Sequence, residues 1–452
     1  SSATPKPKKG GVMENVLLLG AGLVTKPLVE YLLKQEDIGI TVASRTLSKA
    51  EKLIEGHPKG KALQWVIEDS EKLKHLVENA DIIISLLPHA YHAKIADICI
   101  ALKKPMVTTS YVSQEMMDLD SKAKEAGVLI LNEIGLDPGI DHMSAMKIIH
   151  NVRAKGGTID GFFSYCGGLP APEANTNPFG YKFSWNPKGV ALAGKNSGRF
   201  LKDGKEIFIP GEELFANYSI LPIEGLGDFE AYPNRNSLPY IEKYSIKETK
   251  SMFRGTLRYP GWCDTMKKMV DMGLLEEKER EDIKGLSYKD FTGRLFGAEG
   301  DVKKSLASYL KIDETSDIIK RFEWLGLFSD KKIEPGNDSP IDVLVSLLLD
   351  KLQYEKGERD MVILRHEFFC NYPEENRKEK IVSMLVDYGI PNGDTSMART
   401  VGLPAAIGTK LILDGTIQEK GVCIPVIPTI YTPVLRELEK MDIKFQENVS
   451  IA

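Results

Sequence analysis

The sequence lacks any long apolar run, and no stretch reaches the roughly 18 to 20 apolar residues that a membrane-spanning helix needs. The amino terminus also lacks the charged and then apolar pattern of a secretory signal. With 42% hydrophobic and 27% charged residues, the chain of 452 residues has a globular composition, and its length predicts two or three domains. We therefore expect a cytoplasmic protein without a membrane partner.

Cysteines and basic runs are also scarce. The five cysteines are scattered without C-x-x-C spacing, which argues against a disulfide framework and against a zinc or other metal site. The net charge is −5, and no basic run follows the first residues, so nucleic acid is not an expected partner. The opening SSATPKPKKGGV, residues 1–12, is small, basic and proline-bearing, and we expect it to be disordered.

Residues 14–133 alternate short apolar runs with helix-like segments. The runs are NVLLLG, IGITVAS, ALQWVI, DIIISLLP, KPMVTTSY and GVLILNEIG. Continuous hydrophobicity is typical of strands that are buried on both faces of a parallel sheet. About six such strand and helix repeats predict an α/β fold with a doubly wound parallel sheet.

The rest of the chain has a different sequence pattern. Strand candidates punctuated by glycine and proline lie between residues 156 and 259, and DMVILRHEFFC with EKIVSMLVDYG predicts a hairpin. These strands predict a second, mixed or antiparallel sheet. Between them, residues 262–353 have helical spacing and predict a helical insertion, and SMARTVGLPAAIGTKLILDG predicts one more helix near the end.

The segment ENVLLLGAGLVTKPLVEYLL is similar to the start of a dinucleotide-binding unit. Gly20 allows a tight turn after the strand, and Gly22 lets the backbone approach a pyrophosphate near the N–H groups of the next helix. The third glycine of G-x-G-x-x-G is absent, because position 25 is threonine, which puts close helix packing in doubt more than phosphate binding. By itself this motif leaves a cofactor site and an ordinary strand, turn and helix equally open.

The end of the second predicted strand bears on the choice of cofactor. NAD enzymes carry a carboxylate there for the ribose hydroxyls, whereas this chain has Ser44, Arg45 and Thr46. A guanidinium beside two hydroxyls suits a 2′-phosphate, so the pattern favours NADP. The alternative is that Arg45 is a solvated surface residue.

Polar residues also follow the later predicted strands, where ligands of such sheets bind. They lie in SLLPH, TTSYVS and EIGLDPGIDH. In the last segment, Asp137 and Pro138 also fit the N-cap and first residue of a helix PGIDHMSAMKII, so a cap and a ligand contact are both open. His142, inside that helix, is interpreted as a packing or supporting residue rather than as a catalyst.

The second region contributes cations. Arg235 lies in a predicted turn after a strand, and Arg254 and Arg258 are four residues apart, so both would project from one face of an extended strand. Arginines on one face beside a glycine suit the two-pronged binding of carboxylates. The alternative is a pair of exposed strand arginines.

Several segments together resemble those of one enzyme family. SYCGGLPAPEANTNPFGYKFSWNPKGV, YPNRNS, FRGTLRYPG, NEIGLDPGIDHMSAM and TSYVS are similar to signature segments of saccharopine reductase, the NADP-dependent, L-glutamate-forming saccharopine dehydrogenase of lysine metabolism. The resemblance covers almost all of the chain from Met13 onward. It is closer than the resemblance to the lysine-forming NAD enzyme.

The resemblance implies a homodimer of three-domain subunits. A variant Rossmann domain would bind NADP, a mixed-sheet α/β domain would bind substrate and dimerise, and an all-helical domain would be inserted in the latter. The implied limits are 13–137 for the NADP domain with 396–452 packing on it, 138–261 with 354–395 for the substrate domain, and 262–353 for the helical domain.

The resemblance also implies a set of site residues. Together with Gly20 and Ser44 from the motifs above, the NADP contacts would be Ala21, Gly22, Arg45, Thr46, Leu87, Thr109, Leu136 and Pro138. The substrate contacts would be Ser110, Tyr111, Asp137, Arg235, Thr256, Leu257 and Arg258.

The implied reaction joins 2-aminoadipate 6-semialdehyde to L-glutamate and reduces the imine with NADPH to saccharopine, reversibly. Saccharopine carries three carboxylates, for which Arg235 and Arg258 supply positive charge. The glutamate amine must lose a proton to attack, and the carbinolamine must gain one to expel water. Tyr111 and Asp137 are the candidates for this proton transfer.

Two other functions are weighed against this one. A related imine-reducing dehydrogenase of polyamine metabolism, of the carboxynorspermidine type, would favour acidic residues for its cationic substrate, and the arginines argue against it. A non-catalytic NADP-sensing Rossmann protein would not need arginines that bind carboxylates. The sequence leaves open whether the reaction runs in the biosynthetic or the catabolic direction, and whether the chain is free-standing or part of a bifunctional polypeptide.

Overall fold

The structure is a computed structural model that describes residues 13–451, so the disorder predicted for residues 1–12 concerns residues outside the described range. The chain divides into two compact units. The first comprises the residues up to 157 with 372–374 and 393–447, and the second comprises 158–371, 375–392 and the residues from 448 onward. Among the described residues, no helix combines the length and the apolar character that crossing a membrane requires.

Two β-sheets organise these units. Their strands in chain order are β1 (Glu14–Leu19), β2 (Ile38–Ser44), β3 (Gly60–Gln64), β4 (Ile82–Ser85), β5 (Met106–Thr108), β6 (Leu129–Leu131), β7 (Thr158–Pro170), β8 (Gly198–Lys202), β9 (Lys205–Ile209), β10 (Ser219–Ile223), β11 (Gly227–Pro233), β12 (Ser251–Arg258), β13 (Asp360–Tyr372), β14 (Arg377–Tyr388), β15 (Gly421–Cys423) and β16 (Gln446–Ile451).

Helices connect and cover the strands. In chain order they are α1 (Lys26–Leu33), α2 (Leu47–Ile54), α3 (Ser70–Glu78), α4 (His92–Ala101), α5 (Gln114–Met117), α6 (Asp120–Ala126), α7 (Ile140–Ala154), α8 (Pro187–Leu192), α9 (Pro239–Lys243), α10 (Trp262–Asp271), α11 (Tyr288–Phe296), α12 (Val302–Leu310), α13 (Asp317–Leu325), α14 (Pro340–Lys351), α15 (Ser396–Leu413) and α16 (Pro428–Glu439).

The sheet of the first unit is parallel and doubly wound. Its strand order is β15–β6–β5–β4–β1–β2–β3, and each pair of neighbours is parallel. β1 therefore lies between β4 and β2, where the strand order reverses, and open sheets of this kind bind ligands at that point. Every residue of β4 and β6 is buried, which explains why these strands read as continuous apolar runs.

The sheet of the second unit is mixed. Its order is β10–β11–β12–β7–β13–β14–β16, with β8 and β9 attached beside β12. β12 runs antiparallel to β11 and parallel to β7. The predicted helical stretch between β12 and β13 contains α10 to α14. The predicted α/β class, with a doubly wound sheet and a mixed second sheet, is confirmed.

Candidate active site

The turn after β1 has the backbone shape of a nucleotide-binding turn. Gly20 has a φ of +111°, and a Cβ there would lie 3.2 Å from the carbonyl oxygen of Leu86, so both conformation and space favour glycine. Gly22 is exposed, and a Cβ on it would meet nothing within 4 Å. The turn that contains Ala21 therefore leaves its backbone accessible at the carboxyl end of β1.

Close packing against this turn comes from an unexpected position. Thr25, which replaces the third glycine, is fully buried. Helix α15 contributes Gly402, on which a Cβ would lie 2.6 Å from the carbonyl oxygen of Val24. A side chain at position 402 would collide with backbone, so this glycine lets α15 touch the nucleotide turn. The usual helix–strand glycine is thus replaced by a glycine far along the chain.

The predicted 2′-phosphate residues lie beside the glycine turn. β1 and β2 pair with Leu19 opposite Ala43, so the residues that end these two strands are neighbours. The Ser44 hydroxyl oxygen accepts the N–H of Thr46 at 3.2 Å, which shapes the turn, while the side chain between them, Arg45, is exposed. This arrangement fits a phosphate group better than it fits a ribose diol, because no carboxylate lies among these three residues.

The remaining predicted nucleotide contacts lie at the same edge of the sheet. Leu87 follows β4 and Thr109 follows β5, while Leu136 and Pro138 lie in the loop between β6 and α7. Gly135 in that loop packs against β5, since a Cβ on it would lie 3.1 Å from the Cβ of Thr109. The structure therefore brings the predicted nucleotide residues to the carboxyl ends of adjacent strands.

The two candidate proton carriers contact each other. The Tyr111 hydroxyl donates to Oδ1 of Asp137 at 3.0 Å, and both residues are partly exposed. Tyr111 lies after β5 and Asp137 after β6, and these strands are parallel neighbours. A phenol that donates to a carboxylate can pass a proton toward it, which is what general acid and base catalysis of imine formation requires.

Of the two alternatives left open for Asp137, the position as N-cap of the next helix is wrong. Helix α7 begins at Ile140 with Gly139 in the N-cap position, so Pro138 lies outside the helix. The carboxylate near the helix start is that of Asp141, whose Oδ1 accepts the Gly139 N–H at 2.5 Å. The local pattern of Asp and Pro misplaced the start by two residues. The Asp137 carboxylate instead accepts the Tyr111 hydroxyl.

A buried histidine that the sequence analysis did not single out lies behind Ser110. His92 begins α4, and its Nε2 and Nδ1 are 2.8 Å from Ser110 Oγ and 3.0 Å from Ser85 Oγ. Burial lowers the pKa of His92 to about 4, with a smaller effect from His89, so the imidazole is neutral near pH 7. The only available signal was a histidine at the first position of the helix HAKIADICIA.

A second buried pair supports the chain next to Tyr111. His142 Nε2 lies 2.6 Å from Oε2 of Glu133, and both side chains have no solvent exposure. Oε1 of Glu133 accepts the Val112 N–H at 3.0 Å. Since Val112 follows Tyr111 directly, this contact holds the backbone that carries the tyrosine. His142 thus has the supporting place that its position in the helix predicts.

The second unit contains a buried guanidinium. Arg258 ends β12 and is 4% exposed. Its Nη1 donates to the carbonyl oxygen of Leu257 at 2.8 Å, and its Nε has no hydrogen-bond partner among the described residues. Its guanidinium carbon lies 4.8 Å from the ring centroid of Tyr181 and 5.4 Å from that of Trp262. The charge is therefore held between aromatic faces.

The acidic residue paired with Arg258 across the sheet does not neutralise this charge. Glu230 lies opposite Arg258 in the pairing of β11 with β12. Its two carboxylate oxygens, however, accept the N–H groups of Gly261 and Cys263 at 2.6 and 2.7 Å. Within residues 13–451, no carboxylate forms an ion pair with Arg258. Glu230 thus serves the start of α10 rather than the arginine.

The surrounding phenols are neutral. Burial raises the pKa of Tyr181, and burial raises that of Tyr232 to about 12. Moving a charge out of water without a counterion is unfavourable by several kcal/mol of free energy. Each cation–π contact offsets about 0.5 to 2 kcal/mol of that penalty. An anion that reached Arg258 would supply the missing counterion, so this place is a candidate anion-binding subsite.

The other predicted arginines differ in exposure. Arg254 is 3% exposed and its guanidinium carbon lies 4.1 Å from the ring centroid of Tyr240, so the alternative of two exposed strand arginines is wrong for both Arg254 and Arg258. Arg235 is exposed, with a φ of +54°, in the turn after β11. Its carbonyl oxygen accepts the Arg199 N–H at 3.0 Å, which fixes the turn from β8.

Thr256 and Leu257 complete the predicted set on β12. Thr256 is partly exposed and, because side chains alternate along a strand, it projects on the same face as Arg258. Leu257 is fully buried. Its contribution beside Arg258 is its carbonyl oxygen, which accepts the guanidinium hydrogen bond described above.

Comparison with known proteins finds a matching domain family for each of two parts of the chain. Residues 16–131 match the saccharopine dehydrogenase NADP binding domain, and residues 135–443 match the saccharopine dehydrogenase C-terminal domain. The chain is 43% identical to the saccharopine dehydrogenase (NADP+, L-glutamate-forming) of Schizosaccharomyces pombe, over 97% of this chain and 99% of that protein. The enzyme of the same description from Pyricularia oryzae is 43% identical, over 96% of this chain and 99% of its own length.

A solved structure is similar over the same range. The apo histidine-tagged saccharopine dehydrogenase (L-Glu forming) from Saccharomyces cerevisiae has a TM-score of 0.89 and 40% identity with this chain. The match covers 97% of this chain and 100% of that chain.

Proposed function

Because the chain belongs to the saccharopine dehydrogenase family, we propose that it condenses 2-aminoadipate 6-semialdehyde with L-glutamate and reduces the imine with NADPH and a proton, giving saccharopine, NADP+ and water. The reverse reaction consumes saccharopine, NADP+ and water. The observation that carries the proposal is the buried Arg258 without a carboxylate partner in the described chain, because saccharopine, with three carboxylates, would supply one. The same arginine argues against a cationic polyamine substrate.

NADP is the coenzyme of this enzyme. When bound, it supplies and receives the hydride at the carbon of the imine. The glycine turn of residues 20–22 would hold the pyrophosphate, and Ser44, Arg45 and Thr46 would hold the 2′-phosphate. The residues nearer β4 to β6 would line the rest of the nucleotide: Leu87, Thr109, Leu136 and Pro138.

The remaining residues act on the substrate. Arg258 and Arg235 bind carboxylates, and Thr256 and Leu257 shape the subsite around Arg258. Ser110 binds substrate from the edge of the first sheet. Tyr111 and Asp137 move the protons that amine attack and loss of water require, since their hydrogen bond joins a donor and an acceptor at partly exposed positions.

We expect Arg45→Asp to raise the KM for NADPH by about 10- to 100-fold while the KM for NADH stays equal or falls. The variant loses hydrogen bonds to a charged phosphate, each about 1.5 to 3 kcal/mol, and adds a repelling carboxylate. Lys52→Asp is the matched control. Lys52 lies on α2 and is exposed, as Arg45 is, and the two substitutions change the net charge equally. Equal use of NADPH and NADH by the unaltered enzyme would contradict this role of Arg45.

The function itself is tested by adding saccharopine and NADP+ to the purified protein. Absorbance of reduced nicotinamide should rise, and L-glutamate should form in equal amount. NAD+ in place of NADP+ should give a much slower reaction. Turnover of a polyamine imine but not of saccharopine, or NADP binding without turnover of either, would refute the proposal.

The homodimer, the cytoplasmic location and the limits of the three domains stay predictions. Sedimentation of the purified chain at several concentrations tests the dimer directly, because a dimer has twice the mass of the 50.3 kDa chain.

A further inference from the structure

A chain of buried polar side chains runs behind Ser110. The Ser85 hydroxyl lies 3.0 Å from Nδ1 of His92, and Nε2 of His92 lies 2.8 Å from the Ser110 hydroxyl oxygen. Thr108 is a more distant neighbour, with its Oγ1 3.4 Å from Nε2. Ser85, His92 and Ser110 come from three separate places in the fold: the end of β4, the start of α4 and the segment after β5.

We propose that His92 is a positioning residue, which fixes the Ser110 hydroxyl as a hydrogen-bond donor toward a carboxylate of the substrate. The inference rests on the proposed function, because it takes Ser110 to contact saccharopine. It goes further in assigning the direction of that hydrogen bond and the residue that sets it.

The direction follows from Ser85, which has no solvent exposure and whose hydroxyl has no hydrogen-bond partner other than His92 among the described residues. If Nδ1 carried the proton, it would donate to Ser85, and the Ser85 hydroxyl proton would be buried without an acceptor. Such a loss costs about 1 to 3 kcal/mol. Thr108 Oγ1 faces the other ring nitrogen at 3.4 Å, which is a longer and weaker contact than the 3.0 Å between Ser85 Oγ and Nδ1. The neutral ring is therefore favoured with its proton on Nε2, while Ser85 donates to Nδ1.

This tautomer decides what Ser110 offers. Nε2–H donates to the Ser110 oxygen, so the serine proton points away from the histidine. The backbone also holds Ser110, because its N–H donates to Thr108 Oγ1 at 3.3 Å. Ser110 is partly exposed, so its proton is available to an entering anion. A ring that stays neutral, as the lowered pKa of His92 indicates, keeps this pattern across the neutral pH range.

A pair of substitutions separates the two ring contacts. The amide of His92→Gln reaches the position of Nε2 and can donate to Ser110, whereas the shorter amide of His92→Asn reaches only the position of Nδ1 and keeps the Ser85 contact. We expect His92→Asn to raise the KM for saccharopine by about 5- to 10-fold and to leave the KM for NADP+ within twofold. His92→Gln should restore the saccharopine KM to within about threefold of the unaltered enzyme.

A double-mutant cycle shows whether the effect passes through Ser110. In a Ser110→Ala background, His92→Asn should cause no further change in the KM for saccharopine, because the hydroxyl that it positions is gone. Effects that add, or parallel rises of both KM values, would mean a general structural role and would overturn the proposal. So would a normal saccharopine KM in His92→Asn.

Two controls keep the result decisive. An unaltered enzyme that does not oxidise saccharopine would refute the proposed function itself, whereas an active enzyme with an unaffected His92→Asn variant refutes only the role of His92. If His92→Asn does not fold, Ser85→Ala tests the chain from its other end. It should raise the saccharopine KM several-fold, and an unchanged value would overturn the proposal.

Discussion

We expect Tyr111→Phe to lower kcat in both directions by about 10² or more while saccharopine binding stays nearly intact. The substitution removes only the hydroxyl that donates to Asp137 at 3.0 Å, and general acid–base catalysis typically contributes a factor of at least about 10². Steady-state kinetics in each direction measure the loss, and saccharopine titration measures binding. Tyr309→Phe is the control, because Tyr309 is an exposed tyrosine in the helical region.

Asp137→Asn tests the other member of the pair. The amide can keep the hydrogen bond with Tyr111 but cannot accept a proton, so turnover should fall without a matching loss of binding. If the pair works as one unit, the double variant should be no slower than the slower single variant. The acidic limb of the pH profile should disappear in the variant that has lost the base. Near-normal turnover and a bell-shaped profile in both single variants would show that neither residue carries the proton.

The second large effect concerns Arg258. We expect Arg258→Lys to weaken saccharopine binding by about 1 to 3 kcal/mol, because lysine keeps the charge but loses the two-pronged geometry. Arg258→Met should weaken it by about 2 to 5 kcal/mol, the cost of removing one member of a buried charged pair. NADPH affinity should barely change. Titration calorimetry measures both ligands, and Arg294→Lys, on an exposed helix arginine, is the control.

Stability measurements distinguish this role from a structural one. When a buried arginine that has an ion-pair partner is removed, the free energy of unfolding falls by about 3 to 5 kcal/mol. Arg258 has no such partner among the described residues, so Arg258→Met should lower the unfolding free energy of the ligand-free enzyme by much less. A large loss of stability with normal saccharopine binding would show that Arg258 stabilises the fold and does not bind the substrate.

The NADP-binding residues could be predicted from the sequence because the motifs that indicate them are short and continuous. The glycine turn and the residues after β2 lie within short segments whose apolar runs define the strands. Strand β15 was not predicted, because it has three residues and becomes a strand only by pairing with β6, which lies far away in sequence. The contact of Gly402 with Val24 is invisible for the same reason.

The errors at the site have a similar cause. Asp137 followed by Pro138 matches a helix start, but the loop is shaped by its own turn, in which the Gly135 N–H donates to the Pro138 carbonyl oxygen at 2.9 Å. Spacing placed Arg254 and Arg258 on one face of a strand. It could not show that aromatic rings from other segments bury them. His92 was missed because its two serine partners come from separate segments, the end of β4 and the residues after β5.

Isotope labels test directly whether the enzyme joins L-glutamate to the semialdehyde and reduces the product with NADPH. The protein is incubated with 2-aminoadipate 6-semialdehyde, 15N-labelled L-glutamate and NADPH deuterated at its transferable position, and the product is analysed by mass spectrometry. We expect saccharopine that carries one 15N and one deuterium, formed in equal amount to the NADPH consumed. Oxidation of NADPH that does not depend on glutamate, or a product without the 15N label, would contradict this expectation.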